Sequence, residues 1–209
     1  MPIRSIKGAL KVLVLVAIFF AGVWSQSSGV IDEFLWYLPD VQYLMVQHIW
    51  LTVMSGSLAI LFAIPLGIVL SRPKMANVAE SLMQVLNVGT TIPTLAVLAL
   101  SMSFLGIGTV PAVFGLFVAT LLPITRNTYT GLKGVNPALM EAAAGIGMSP
   151  MQRLFKVELP NALYVIFAGM RTALTINVGT VPLAFLIGAG GLGELIFTGI
   201  DLYDPVMML

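Results

Sequence analysis

Long apolar runs separated by short polar stretches dominate the chain. A membrane-spanning helix needs about 20 consecutive apolar residues. Five runs approach that length: Gly8–Trp24, His48–Leu70, Val85–Leu105, Thr109–Ile124 and Ala162–Ile187. Transmembrane β-strands would instead alternate polarity over about ten residues, and no such alternation is present. The pattern predicts an all-α membrane protein, a polytopic helical bundle. Within the second run, Ser55, Ala59, Ala63 and Gly67 recur four apart, a small-residue stripe that lets helix backbones approach closely. Pro65 and Pro93 are expected to kink their helices, because each removes a backbone donor.

Composition agrees. Of 209 residues, 58% are hydrophobic and 9% charged, against roughly 25% charged in a soluble domain. Only helices and closed barrels satisfy their backbone in lipid. There is no cysteine, and the single histidine, His48, cannot build a zinc site alone, so no metal site is expected. His48 reads as the polar start of the second run. A net charge of +1 with no long basic tract gives no footing for nucleic acid.

Charge placement sets the expected orientation. With the N-terminus in the cytoplasm, Arg4, Lys7, Lys11, Arg72, Lys74, Arg126, Lys133, Arg153 and Lys156 all fall inside, nine of the ten basic residues. The outer segments carry Asp32, Glu33, Asp40, Glu194, Asp201 and Asp204. This is the positive-inside pattern. The basic start and the first run also allow a cleaved signal peptide. Cleavage would leave the following topology unchanged.

The segment 126–160 is the longest inner one and is heavily punctuated. Asn136 and Pro137 read as the N-cap and first position of a short helix over Leu139–Ala144, which Gly145 and Gly147 end. Ser149 and Gln152 fit a capping box for a second helix that starts at Pro150, reaches about Glu158 and stops at Pro160. Met151, Leu154 and Phe155 share one face of it. Helices this short are marginal alone, so they pack either on their own spans or on a partner protein.

Glu141-Ala142-Ala143, Gly147, Val157, Leu159 and Pro160 resemble the EAA signature of ABC importer permeases, E-A-A-x3-G-x9-I-x-L-P. Val157 in place of isoleucine is the one departure. The resemblance implies the type I importer permease fold, with this segment forming coupling helices that sit in a groove of a separate ATPase subunit. It also implies an extracytoplasmic solute-binding protein and a second permease subunit, identical or related, within the bacterial inner membrane. From about Gln47 on, Thr91–Leu95, Gly169–Ala173, Ile176–Thr180 and Gly188–Gly193 resemble the glycine betaine/carnitine/choline subfamily. Methionine-type permeases carry a similar glycine cluster, so an amino-acid substrate is the alternative. The division implied is residues 1–46, an N-terminal span with an outer segment, and 47–209, the permease domain. Similar permeases continue into one more span, so a sixth is expected, and the chain reads as a fragment or an unusual variant.

Other signals carry less. Gly188, Gly190 and Gly193 satisfy G-x-G-x-x-G, but an apolar span precedes them rather than a strand of a βαβ unit. They read as a tight turn near the outer face. No phosphate-binding G-x4-G-K-[ST] occurs, so no ATP or other cofactor is expected on this chain. Arg171 is a charge inside a span, either a pathway or gate residue or a structural pair. Asn177 and Pro93 are the other pathway candidates. A stand-alone secondary transporter would need further intramembrane ionisable groups and an internal repeat. A membrane enzyme would need a catalytic constellation. The sequence shows neither.

Overall fold

The computed structural model describes the backbone of residues 3–27 and 29–208, with side chains for 11–26 and 29–208. The Arg4 and Lys7 charges that enter the orientation argument lie outside the described side chains. Nine α-helices follow one another among the described residues: α1 (Ile3–Ser27), α2 (Val30–Leu70), α3 (Ala76–Gly89), α4 (Thr94–Leu105), α5 (Thr109–Lys133), α6 (Pro137–Gly145), α7 (Pro150–Arg153), α8 (Leu159–Thr180) and α9 (Gly193–Leu202). No strand occurs among these residues. Val30–Leu70, Thr109–Lys133 and Pro150–Ile187 are each long and apolar enough to cross a bilayer.

Four expectations are corrected. The helix that carries the second run does not begin at His48. Helix α2 starts at Val30 and runs through Pro39 and Pro65 without interruption. From Val30 to Gln47 the expected outer segment is apolar and aromatic apart from Asp32, Glu33, Asp40, Gln42 and Gln47, the helix continues through it, and the two acids in its first turn complement its dipole.

The third span is not one helix. Pro73–Gly89 and Thr94–Leu105 meet at 102°. The Thr90 and Thr91 hydroxyls each donate to a carbonyl three residues back, at 2.7 Å, which competes with helix continuation. Ile92 precedes a proline and is pushed away from the α region. Pro93 is then the extended N-cap of α4, so it marks a break rather than a kink.

The helix that carries the fifth run does not begin after Pro160. A single helical run covers Pro150–Ile187, because Leu154–Glu158 form a π turn in which the Leu159 N–H reaches the Leu154 carbonyl. The wider turn takes up the missing donor and the bulk of Pro160, which sits in the first turn of α8. Likewise α5 continues past Ile124 to Lys133, so the loop expected from Arg126 begins at Gly134.

The chain divides into two compact units, Met1–Tyr43 with Leu195–Leu209, and Leu44–Glu194. In the second unit the core is built on small residues. Ala59 and Ala63 of α2 meet Ile124 of α5 and Ala173 of α8. Leu132, Ala162 and Ile166 continue the core toward the α5–α8 connection. Leu51, Leu98, Leu116, Val181 and Ile187 fill the other end. The whole Ser55–Gly67 stripe is buried, as ordinary close helix packing requires. A Cβ on Gly169 would come within 2.4 Å of the Asn127 Cβ, which shows how near α8 lies to α5. In the first unit the Tyr37 hydroxyl donates to Asp204 at 2.8 Å, and Asp204 accepts the N–H groups of Val206 and Met207 at 2.9 Å each. The Met207 N–H foremost, then the Tyr37 hydroxyl, hold the Asp204 carboxyl below its usual range.

Candidate functional site

The segment between α5 and α8 folds into a short elbow. The Asn136 side chain accepts from the Ala138 N–H at 2.9 Å and starts α6, with Pro137 in its first turn. At the other end the Met148 N–H reaches the Ala143 carbonyl and the Gly147 N–H the Ala144 carbonyl, both at 3.0 Å. That pair of bonds is a Schellman motif, and its left-handed residue is Gly147 at φ +82°. Gly145 stays helical, so Gly147 alone is the terminator. Two residues on, Ser149 and Gln152 close the capping box, with the Ser149 N–H to the Gln152 Oε1 at 2.9 Å and the Gln152 N–H to the Ser149 Oγ at 3.3 Å. Both ends of the Ile146–Ser149 connection are therefore hydrogen-bonded.

The elbow shows apolar side chains to solvent at the end of the bundle. Leu139, Ile146, Met151 and Phe155 are 44%, 75%, 64% and 61% exposed, the first two on the α6 side of the connection and the last two at the start of the Pro150–Ile187 run. Leu154 turns the other way, onto the Leu132–Ala162–Ile166 core, so the shared face expected of Met151, Leu154 and Phe155 is split. Glu141, Ala142, Gly147 and Pro160 are exposed, Val157 and Leu159 half-buried, and Ala143 buried. The small size of Ala143 thus already answers to packing within the chain, while Ala142 lies on the open side. Arg153 is half-buried, and its Nε has no hydrogen-bond partner among the described residues.

The three pathway candidates do not converge. Arg171 is exposed on α8, along a groove lined by Phe167, Met170, Leu174, Thr175 and Val178. Asn177 is 2% exposed. Its Nδ2 donates to the Ser55 Oγ at 2.9 Å and to the Thr52 carbonyl at 3.3 Å, which ties α8 to α2. His48 is buried in the same seam, its Nε2 3.1 Å from the Val178 carbonyl, and is no mere polar start to a span. Pro93 is exposed at the α3–α4 break, beside a cavity of about 280 Å³ bounded by Gly89, Thr90, Ile92, Thr94, Leu122 and Pro123. A neighbouring cavity of about 390 Å³ is more polar, with Asn87, Arg126, Asn127 and Thr130 on its walls.

Sequence reasoning missed two further residues. Arg72 read only as an orientation charge and Glu158 only as a helix end, yet they form an ion pair. The available signal was Glu158 itself, an acid among the basic residues of the second loop helix. The glycine cluster is a tight turn, as expected. Gly188, Gly190 and Gly191 have positive φ, and the Gly191 N–H donates to the Gln47 side chain at 3.0 Å.

Comparison with known proteins agrees with this architecture. Residues 63–208 match the family described as binding-protein-dependent transport system inner membrane component. The chain is 51% identical over 207 residues to the osmoprotectant import permease protein OsmY of Salmonella typhimurium, covering 99% of this chain and 85% of that protein. It is 45% identical over 166 residues to the choline transport system permease protein OpuBB of Bacillus subtilis, covering 79% and 76%. Among solved structures, an inward-facing form of the MetNI methionine ABC transporter superposes with a TM-score of 0.72 at 25% identity, covering 82% of this chain and 86% of that one. With a punctuated elbow between α5 and α8, close-packed helices and these relatives, the chain belongs to the binding-protein-dependent transport system inner membrane component family and is a membrane-spanning permease subunit of an ABC importer.

Proposed function

We propose that this permease carries a small compatible solute such as glycine betaine, choline or carnitine inward across the bacterial inner membrane. The observation that carries the proposal is the set of relatives at 45–51% identity named for osmoprotectant and choline import, against a methionine transporter at 25%. Residues 47–209 form the transport domain. Its elbow, with Glu141, Ala142, Ala143, Gly147, Val157, Leu159 and Pro160, docks on a separate ATPase. The exposed Leu139, Ile146, Met151 and Phe155 supply the apolar contact such a partner would bury. An extracytoplasmic binding protein delivers the solute, and a second permease subunit completes the channel. Arg171 borders the pathway on α8 and Pro93 at the α3–α4 break, while Asn177 acts from inside the α2–α8 seam.

Cells with the gene are expected to accumulate labelled glycine betaine or choline at high osmolarity, and cells without it are not. Unchanged uptake of both, together with a fall in methionine uptake, would replace the substrate and leave the permease. The Lys and Arg asymmetry supports a cytoplasmic N-terminus and a cytoplasmic 126–160 segment. A cysteine introduced as Lys133→Cys is then expected to react with a membrane-impermeant thiol reagent only after the cells are opened. Labelling in intact cells would reverse the topology.

A further inference from the structure

Helix α2 ends at Leu70, where its last carbonyls lose their helical partners. Arg72 folds back over that end. Its Nε donates to the Ile68 carbonyl at 3.1 Å, and its Nη2 to the Ser71 Oγ at 2.8 Å. Ser71 is itself buried and donates to the Ile68 carbonyl at 2.7 Å. The rest of the guanidinium faces Glu158, with Nη1 3.2 Å from Oε1 and Nη2 bonded to Oε2. Glu158 is 6% exposed. It is the last residue of the π turn, directly between the docking helix α7 and the long helix α8.

The Arg72 side chain is 32% exposed while Glu158 is buried, so solvent screening and desolvation of the carboxylate leave the pair a weak source of stability. Its geometry is what distinguishes it. A planar guanidinium engaged on both carboxylate oxygens and on a helix-end carbonyl fixes direction as well as distance. The pair also sits on the one π turn described in the Pro150–Ile187 run, where the helix departs from regular α geometry. We propose that Arg72 and Glu158 are positioning residues that form a coupling strut. The strut carries a displacement of the ATPase-docking elbow into the inner end of α2, instead of letting the π turn absorb it. This rests on the reading of the chain as an ATPase-driven importer.

The test uses the complete transporter, permease with ATPase and binding protein, in proteoliposomes, with labelled glycine betaine and choline as probes. Glu158→Gln and Arg72→Lys each remove the two-armed contact. The double variant Arg72→Met with Glu158→Met removes it while leaving no unpaired charge, so it covers the case in which a single variant fails to fold. At equal amounts of assembled complex, solute moved per ATP hydrolysed is expected to fall by roughly 2-fold to 30-fold, the range for residues that transmit coupling, while hydrolysis continues. A merely structural pair would instead lower uptake and hydrolysis together, or be restored by lysine at position 72. Either result, or an unchanged ratio in the double variant, overturns the strut. Wild-type complex that hydrolyses ATP but moves neither probe overturns the substrate reading. Wild-type permease that recruits no ATPase overturns the importer reading and the strut with it.

Discussion

Gly147→Val is expected to uncouple the transporter: solute uptake is lost, the chain still inserts in the membrane, and ATP hydrolysis by the complex no longer tracks uptake. The reason is backbone geometry, not space. Gly147 has φ +82°, and a Cβ there would meet nothing within 4 Å in this chain. A left-handed conformation costs an L-residue about 1–2 kcal/mol, and a β-branched residue is the least tolerant of it. That cost is a factor of roughly 5 to 30 in the population of the native elbow. If it opens, the Met148 and Gly147 N–H groups lose the Ala143 and Ala144 carbonyls, and α6 and α7 no longer present Ile146 and Met151 in one arrangement. Gly147→Asn is the matched control, because asparagine tolerates the left-handed region. It is expected to retain most of the uptake. Leucine is expected to fall between the two, with the same strain and less crowding at Cβ. Normal ATP-driven uptake by the valine variant, measured in proteoliposomes, would remove Gly147 from the coupling mechanism.

Legibility in the sequence followed the range of the interactions. The elbow was readable because each of its parts is local. Asn136-Pro137, Gly147 and Ser149-Pro150-x-Gln152 each satisfy backbone groups within a few residues, and the observed bonds join the expected partners. The buried Ser55–Gly67 stripe was readable for the same reason, since a helical period of four places those residues on one face. Helix limits were less readable where two local signals compete. At Pro160 the breaker is real, but a π turn one step earlier accommodates it. At Pro93 the breaker is reinforced by Thr90 and Thr91, whose hydroxyls turn back onto the helix, and the span breaks instead of bending. Contacts between distant segments were not readable at all. Arg72 and Glu158 lie 86 positions apart. Asn177 and Ser55 lie 122 apart, and that bond turns a pathway candidate into a seam residue. The exposure of Arg171 has the same character, because a period of 3.6 cannot say which face of α8 the neighbouring helices leave open.

Gly193→Ala is expected to destabilise the permease more than any other single-methyl change in its glycine turn. A Cβ at that position would lie 1.9 Å from the Pro182 carbonyl oxygen and 2.6 Å from its carbon. Both are backbone atoms, and Pro182 stands in the first turn of the 3-10 stretch Val181–Ile187, so no side chain can rotate away. That stretch is anchored by Val181, Ala184 and Ile187 in the core with Leu51, Leu98 and Leu116. The turn is held from the other side by the bond from the Gly191 N–H to Gln47. Relief therefore needs a backbone shift against a packed core, which costs about 1–3 kcal/mol in well-packed sites. For a chain of this size each kcal/mol lowers the thermal midpoint by about 2–4 °C. Gly179→Ala is the comparison: a Cβ there meets nothing within 4 Å, the residue is helical in α8, and alanine gains about 0.5–1 kcal/mol over glycine in such a position. Thermal unfolding of the two variants in the same detergent is then expected to move in opposite directions, down for residue 193 and level or up for residue 179. A midpoint for Gly193→Ala equal to that of the unsubstituted chain would show that the Pro182 turn yields freely, and that this contact does not set the position of the segment leading into α9.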